Sequence, residues 1–152
     1  MPVEIERKFI VRNDIWDTIK KPDPVLIHQG YLLITEETTT RVRYTETKGT
    51  ITIKGKQQGI SRDEYEYEIP LEEAKDIFNN HCQKILSKKR YKIPVGSLIW
   101  EVDEYLNHLS GLIIAEVELG SENENIDTIP EWIGEEVTQD IKYSNAYLAS
   151  II

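Results

Sequence analysis

Cysteine is almost missing from this chain of 152 residues: Cys82 stands alone. That excludes a disulfide framework and a thiolate metal cluster. Long apolar runs are missing too, so no membrane span is expected. The chain opens straight into a patterned strand, so no signal peptide is expected and a cytoplasmic setting is. Basic residues are the minority charge, 18 Lys and Arg against 27 Asp and Glu, for a net charge of -9. General nucleic-acid binding needs a basic face, so no nucleic-acid partner is expected. Any polyanionic ligand must meet a local gathering of Lys and Arg. Linkers, low-complexity tracts and repeats are absent, which predicts one domain over 1–152, long enough for a real core. His28, His81 and His108 are scattered without metal spacing. Ser61 and Ser110 lack a base. Gly49 to Lys56 misses the P-loop by one residue of spacing and by Gln57 in place of Ser or Thr.

What the chain has is period-two alternation. It predicts eight strands: Val3–Val11, Val25–Ile34, Thr39–Thr47, Thr50–Lys56, Ser61–Ile69, Lys84–Ile93, Leu98–Leu106 and Leu112–Leu119. Short Gly- and Pro-bearing connections make neighbours antiparallel. Leu71, Ala74, Ile77 and Phe78 share a helical face after Pro70. A final helix is predicted over Ala146–Ile151, capped by Ser144 or Asn145, and a short one over Asp14–Lys20, capped by Asn13 or Asp14.

On most strands, like charges sit two apart and so share a face. Glu4, Glu6 and Lys8 open the chain; Arg41 and Arg43 follow, then Lys54. The next strand carries Arg62, Glu64 and Glu66, and the later ones carry Lys88 and Arg90, Glu101 and Asp103, Glu116 and Glu118. Carboxylates ~6.6 Å apart on one strand face repel by roughly 2–3 kcal/mol at an effective dielectric near 20. A solvated face has no need for such clustering. The interior of an eight-stranded barrel has room for one small ligand. Turned inward, these faces would place basic groups around a multiply charged anion, beside carboxylates suited to Mg²⁺ or Mn²⁺. The apolar faces would then look outward and need covering. An ordinary sheet with a wet outer face is the plain alternative.

The same residues resemble the CYTH superfamily, or triphosphate tunnel metalloenzymes. The resemblance runs through Glu4-Ile5-Glu6-Arg7-Lys8, Gln29-Gly30-Tyr31-Leu32, Arg41-Val42-Arg43, Thr52-Ile53-Lys54 and Ser61-Arg62-Asp63-Glu64-Tyr65-Glu66. It continues through Lys88-Lys89-Arg90-Tyr91, Glu101-Val102-Asp103, Glu116-Val117-Glu118 and Gly134-Glu135-Glu136-Val137-Thr138. It implies an α+β fold, a closed eight-stranded antiparallel barrel with a few covering helices. It further implies divalent-metal-dependent hydrolysis of a small-molecule triphosphate, inorganic tripolyphosphate first and nucleoside triphosphates second. Thiamine triphosphate hydrolysis, ATP cyclisation and non-catalytic polyphosphate binding are the alternatives.

Under that resemblance Glu4, Glu6 and Glu118, with Glu116 close by, hold the metal. Glu64, Glu66, Glu101 and Asp103 hold a second metal or orient the arginines. Lys8, Arg41, Arg43, Lys54, Arg62, Lys88 and Arg90 meet the phosphates. Lys8 and Tyr31 form a further candidate unit for proton traffic, against packing or a phosphate hydrogen bond for Tyr31. Lys88 is a candidate proton donor to the leaving group or a plain electrostatic partner. Trp16, Trp100 and Trp132 read as packing residues, with Trp132 also placed to border a tunnel mouth. The last helix either plugs one barrel end or packs outside.

Overall fold

The structure, a computed structural model, describes residues 2–151, so residues 1 and 152 of the expected domain lie outside the description. Its strands are β1 (Val3–Val11), β2 (Val25–Ile34), β3 (Thr38–Tyr44), β4 (Gly49–Gly55), β5 (Ser61–Ile69), β6 (Lys84–Val95), β7 (Leu98–Tyr105), β8 (Ile113–Glu118) and β9 (Ile133–Glu136). The helices are α1 (Asn13–Trp16), α2 (Leu71–His81) and α3 (Asn145–Ser150). The sheet runs β5-β4-β3-β2-β6-β7-β8-β1, and β1 returns to β5. Every pairing is antiparallel, and the return closes an eight-stranded barrel. Residues Val3 to Ile5 of β1 pair with β5, while Phe9 and Val11 pair with β9 on the strand's later half. The extra strand thus takes over the edge of β1 that β5 leaves free.

Outward-facing apolar residues are covered from two sides. Phe9, Val11, Trp100, Val102, Ala115 and Val117 pack under Trp16 and Trp132. The Trp16 and Trp132 rings meet edge-on at 5.2 Å, and Trp16 Nε1 donates to Glu104 at 2.7 Å. Trp132 is therefore part of the outer core and not a border of the interior. Val42 is covered by Ala74 and Phe78 of α2, with Tyr44 edge-on to Phe78. Gly30 lets Cys82 approach, because a Cβ there would lie 2.7 Å from the cysteine Cβ. Cys82 is half-buried, less enclosed than a core thiol.

A third cluster joins Tyr31, Leu86, Tyr105 and Ile114 to Leu148 and Ala149 of α3. Each of these strand residues stands directly opposite a member of the inward set, so they share its face and α3 packs against the barrel's inner face at one end. The outer-wall alternative for this helix does not hold. Ser144 caps it, accepting from the backbone N–H of Tyr147 at 3.2 Å.

Several boundaries differ from expectation. β3 stops at Tyr44 because Thr45 starts a turn, its hydroxyl accepting from the backbone N–H of Lys48. β6 continues through Pro94 to Val95 and turns at Gly96, whose φ of 61° suits a residue without a Cβ. α1 ends at Trp16, and neither Asn13 nor Asp14 caps it: Arg12 holds that place, while the Asn13 amide donates to the Gly111 carbonyl.

Among the described residues, the tryptophan-rich outer cluster is the largest of the three apolar clusters. Trp132→Ala is expected to cost about 3–5 kcal/mol, measured by denaturant unfolding. A loss below about 1 kcal/mol would contradict that expectation.

Candidate active site

Directly paired residues of an antiparallel ladder share a face. The register therefore carries one inward-facing set around the barrel. Arg41 stands opposite Thr52, Thr52 opposite Glu66, and Lys54 opposite Glu64. Glu4 stands opposite Arg62, Glu6 opposite Glu118, and Lys8 opposite Glu116. Glu116 faces Glu101, Asp103 faces Arg90, and Gln29 faces Arg43. All the charged residues singled out from the sequence lie on this face. Glu118 and Glu66 are its exposed members, at the rim.

Most inner cations are matched by carboxylates. Lys54 Nζ donates to both oxygens of Glu4 at 3.1 Å and lies 3.4 Å from Glu64. Arg62 Nε reaches Glu4 at 3.5 Å. Arg90 grips Asp103 through two bonds of 2.8 and 2.9 Å and touches Glu101 at 3.4 Å. Lys88, fully enclosed, lies 2.8 Å from the same Asp103. Lys8 lies 3.8 Å from Glu116. Arg41 donates to Thr52 Oγ1 at 3.2 Å, which in turn donates to Glu66 at 3.0 Å; Arg41 Nε is buried without a partner.

The electrostatics follow. Burial pushes the Glu6 carboxyl well above its usual range, and the neighbouring charges of Glu116 and Glu4 push the same way. Burial also opposes the Glu4 and Glu116 charges, but cations win. Lys54 holds Glu4 below the usual value, and Lys8 holds Glu116 well below it. Burial lowers Lys88 to about 7 against the pull of Asp103. Asp103 is brought down to about 2, since Arg90 and Lys88 outweigh its burial. Glu118 is raised by burial and by Glu4 and Glu101.

A cavity of about 530 Å³ opens on this face. Glu6, Lys8, Tyr31, Arg41, Lys54 and Arg62 line it, together with the segment from Thr138 to Asp140 and the first residues of α3. Lys8 and Tyr31 share the cavity but hold different partners. Lys8 Nζ donates to the Tyr143 carbonyl at 3.2 Å, and Tyr31 Oη accepts from Gln29 at 3.4 Å. Among the described residues no three carboxylate, histidine or cysteine side chains converge closely enough to ligate one ion as arranged. The donor set is nonetheless all carboxylate oxygen, buried and crowded by like charge at Glu6, a chemistry that fits a hard divalent cation. No helix among the described residues is long and apolar enough to cross a membrane.

Sequence reasoning assigned no role to three inner-face residues. Gln29 holds Arg43, Thr52 bridges Arg41 to Glu66, and Asn145 Oδ1 accepts from Tyr105 Oη at 2.6 Å and Lys88 at 3.3 Å. Thr52 shares the parity of Lys54 on its own strand, which was the available signal; Gln29 sits on a strand without an Asp, Glu, Lys or Arg and had none. Asn145 had none, since its place beside Ser144 read as a helix cap.

Asp103 is the hub of the buried pairs, and Asp103→Asn would leave Lys88 and Arg90 undercompensated, costing about 3–5 kcal/mol in denaturant unfolding. An acid whose folded pKa is depressed contributes stability above its ordinary value of 3.8, and loses it as pH falls through about 2. The gap between wild type and variant should be full above about pH 4 and narrow below it. A gap constant across that window would contradict the assignment.

The CYTH domain profile matches residues 2–148. A protein named inorganic triphosphatase from Acetivibrio thermocellus is 46% identical over 149 residues, 97% of this chain and 94% of that one. Another of that name from Nitrosomonas europaea is 38% identical over 154 residues, 96% of each chain. A crystal structure of an inorganic triphosphatase superposes with a TM-score of 0.68 at 33% identity, covering 100% of this chain and 97% of the other. With a closed barrel, an inward charged face and a profile match along nearly its whole length, the chain belongs to the CYTH domain family.

Proposed function

We propose that this chain is a triphosphatase of inorganic tripolyphosphate, a single tunnel domain acting on a small-molecule substrate in the cytoplasm. The observation that carries the reading is the inner wall, where Lys8, Arg41, Lys54 and Arg62 border one cavity with Glu6, and Glu4 sits behind them on Lys54. The curated relatives' names point the same way. Phosphoryl transfer asks a protein mainly for positioning and charge stabilisation. Lys8, Arg41, Arg43, Lys54, Arg62, Lys88 and Arg90 spread positive charge over several strands, suited to a linear chain of phosphates. Arg41 enters with a buried Nε free to donate. Tyr31 offers a hydroxyl in the same cavity, and Lys88 steadies charge developing on the leaving group.

Glu4, Glu6, Glu116 and Glu118 would hold Mg²⁺ or Mn²⁺, which supplies polarisation of the phosphate oxygens and activation of the attacking water. Glu64 and Glu66 keep Lys54 and Arg41 in place, and Glu101 and Asp103 do the same for Arg90. Product from tripolyphosphate is pyrophosphate and phosphate.

Purified protein with Mg²⁺ or Mn²⁺ is expected to release phosphate from tripolyphosphate faster than from ATP, GTP or thiamine triphosphate, and to form no cyclic nucleotide. Glu4→Gln and Glu6→Gln are each expected to lower metal-dependent kcat/KM by roughly 100-fold or more, about 2.7 kcal/mol of barrier. Wild-type turnover in either variant would remove the metal assignment.

A further inference from the structure

Arg43 differs from the other inner cations. Lys8, Arg41, Lys54, Arg62, Lys88 and Arg90 each have a carboxylate partner within 4.0 Å. Among the described residues none pairs with Arg43. Its guanidinium instead donates through Nε at 3.0 Å and Nη2 at 2.7 Å to one atom, the Oε1 of Gln29. Gln29 is fully enclosed and lies directly across the β2–β3 ladder from Arg43.

The amide orientation is fixed by this contact. A guanidinium has donors only, so the glutamine must turn its oxygen to Arg43 and its NH₂ the other way. That NH₂ donates to Tyr31 Oη at 3.4 Å. The tyrosine oxygen therefore accepts from Gln29, and its own hydrogen is free for an acceptor in the cavity that Tyr31 lines.

We propose that Gln29 is a positioning residue for anion binding: an uncharged clamp that aims Arg43 without neutralising it and sets Tyr31 to donate into the cavity. A carboxylate would hold the guanidinium as well or better, since charge-assisted bonds are the stronger kind. It would also cancel the positive field that a polyphosphate has to feel. The neutral amide gives the geometry and keeps the field. The cost shows on Arg43 itself, whose pKa burial and the neighbouring Arg41 and Arg90 charges bring down to about 9. This inference rests on the triphosphatase reading and names a residue for which that reading has no role.

Two variants test it. Gln29→Glu retains an acceptor for Arg43 and adds a negative charge; Gln29→Met keeps the bulk and removes the acceptor. Gln29→Glu is expected to melt at or above the wild-type temperature. It should nevertheless bind inorganic tripolyphosphate about tenfold or more weakly by calorimetry in EDTA, with KM raised more than kcat is lowered. Gln29→Met should weaken binding and lower the melting temperature together. A folded Gln29→Glu variant with wild-type affinity and KM would overturn the proposal and leave Gln29 as core filling. Should Gln29→Glu not fold, unchanged affinity and KM in Gln29→Met would overturn it, and weakened binding would support it. An inactive wild type would instead sink the triphosphatase reading, whereas an active wild type matched by its Gln29→Glu variant sinks only this inference.

Discussion

The structure depends on a network of ion pairs held inside a β-barrel. Asp103 is its most demanding member, enclosed and bonded to both Lys88 and Arg90. Charges removed from water are tolerated only with close partners, and removing one partner leaves the other exposed to the full desolvation penalty. The strand register supplies those partners. Arg90 meets Asp103, Lys8 meets Glu116 and Lys54 meets Glu64 as direct cross-strand neighbours, so a slip of one residue would turn every charge into the apolar cover. The same network that threatens the fold with desolvation also fixes its register.

Inversion of the barrel explains the elements around it. An inner face given to charge leaves the outer face apolar, and two helices and the approach to β9 shield part of it. α1 and the stretch leading to β9 bring Trp16 and Trp132 over one side; α2 brings Ala74 and Phe78 over another. α3 does the opposite task, adding apolar residues to the inner face where the charges give out and leaving the cavity bounded at that end. The gradient along β6, from Arg90 and Lys88 to Leu86, shows the transition within one strand.

Much of this was legible in the sequence. All eight barrel strands follow from period two, and the inward face follows from like charges two apart. What stayed hidden was of two kinds. β9 is four residues long and ends in Glu135-Glu136, so it offers no alternation to read; it exists because β1 leaves an edge unpaired, and Arg7 seals it through a 2.6 Å bond to Glu136. The second kind is partnership. Alternation puts Lys8 on the charged face and the resemblance sets Tyr31 beside it, but only the fold shows that one holds the Tyr143 carbonyl and the other Gln29. Gln29 stood in the resemblance as a letter beside Tyr31, and its uncharged side chain gave no electrostatic reason to single it out.

Closure of the barrel has a consequence for how the chain reaches this state. β1 zips onto β8 and β5, with Glu6 opposite Glu118 and Glu4 opposite Arg62. Local hairpins such as β3–β4 and β6–β7 can assemble from neighbouring segments, but the first strand, whose Val3–Ile5 stretch pairs with β5, cannot seat its Glu6–Ile10 stretch before β8 has been synthesised. Topologies dominated by such distant pairings fold slowly. On the ribosome, the later part of the charge-rich leading strand must therefore wait, solvated by its own charges, until the eighth strand emerges to receive it.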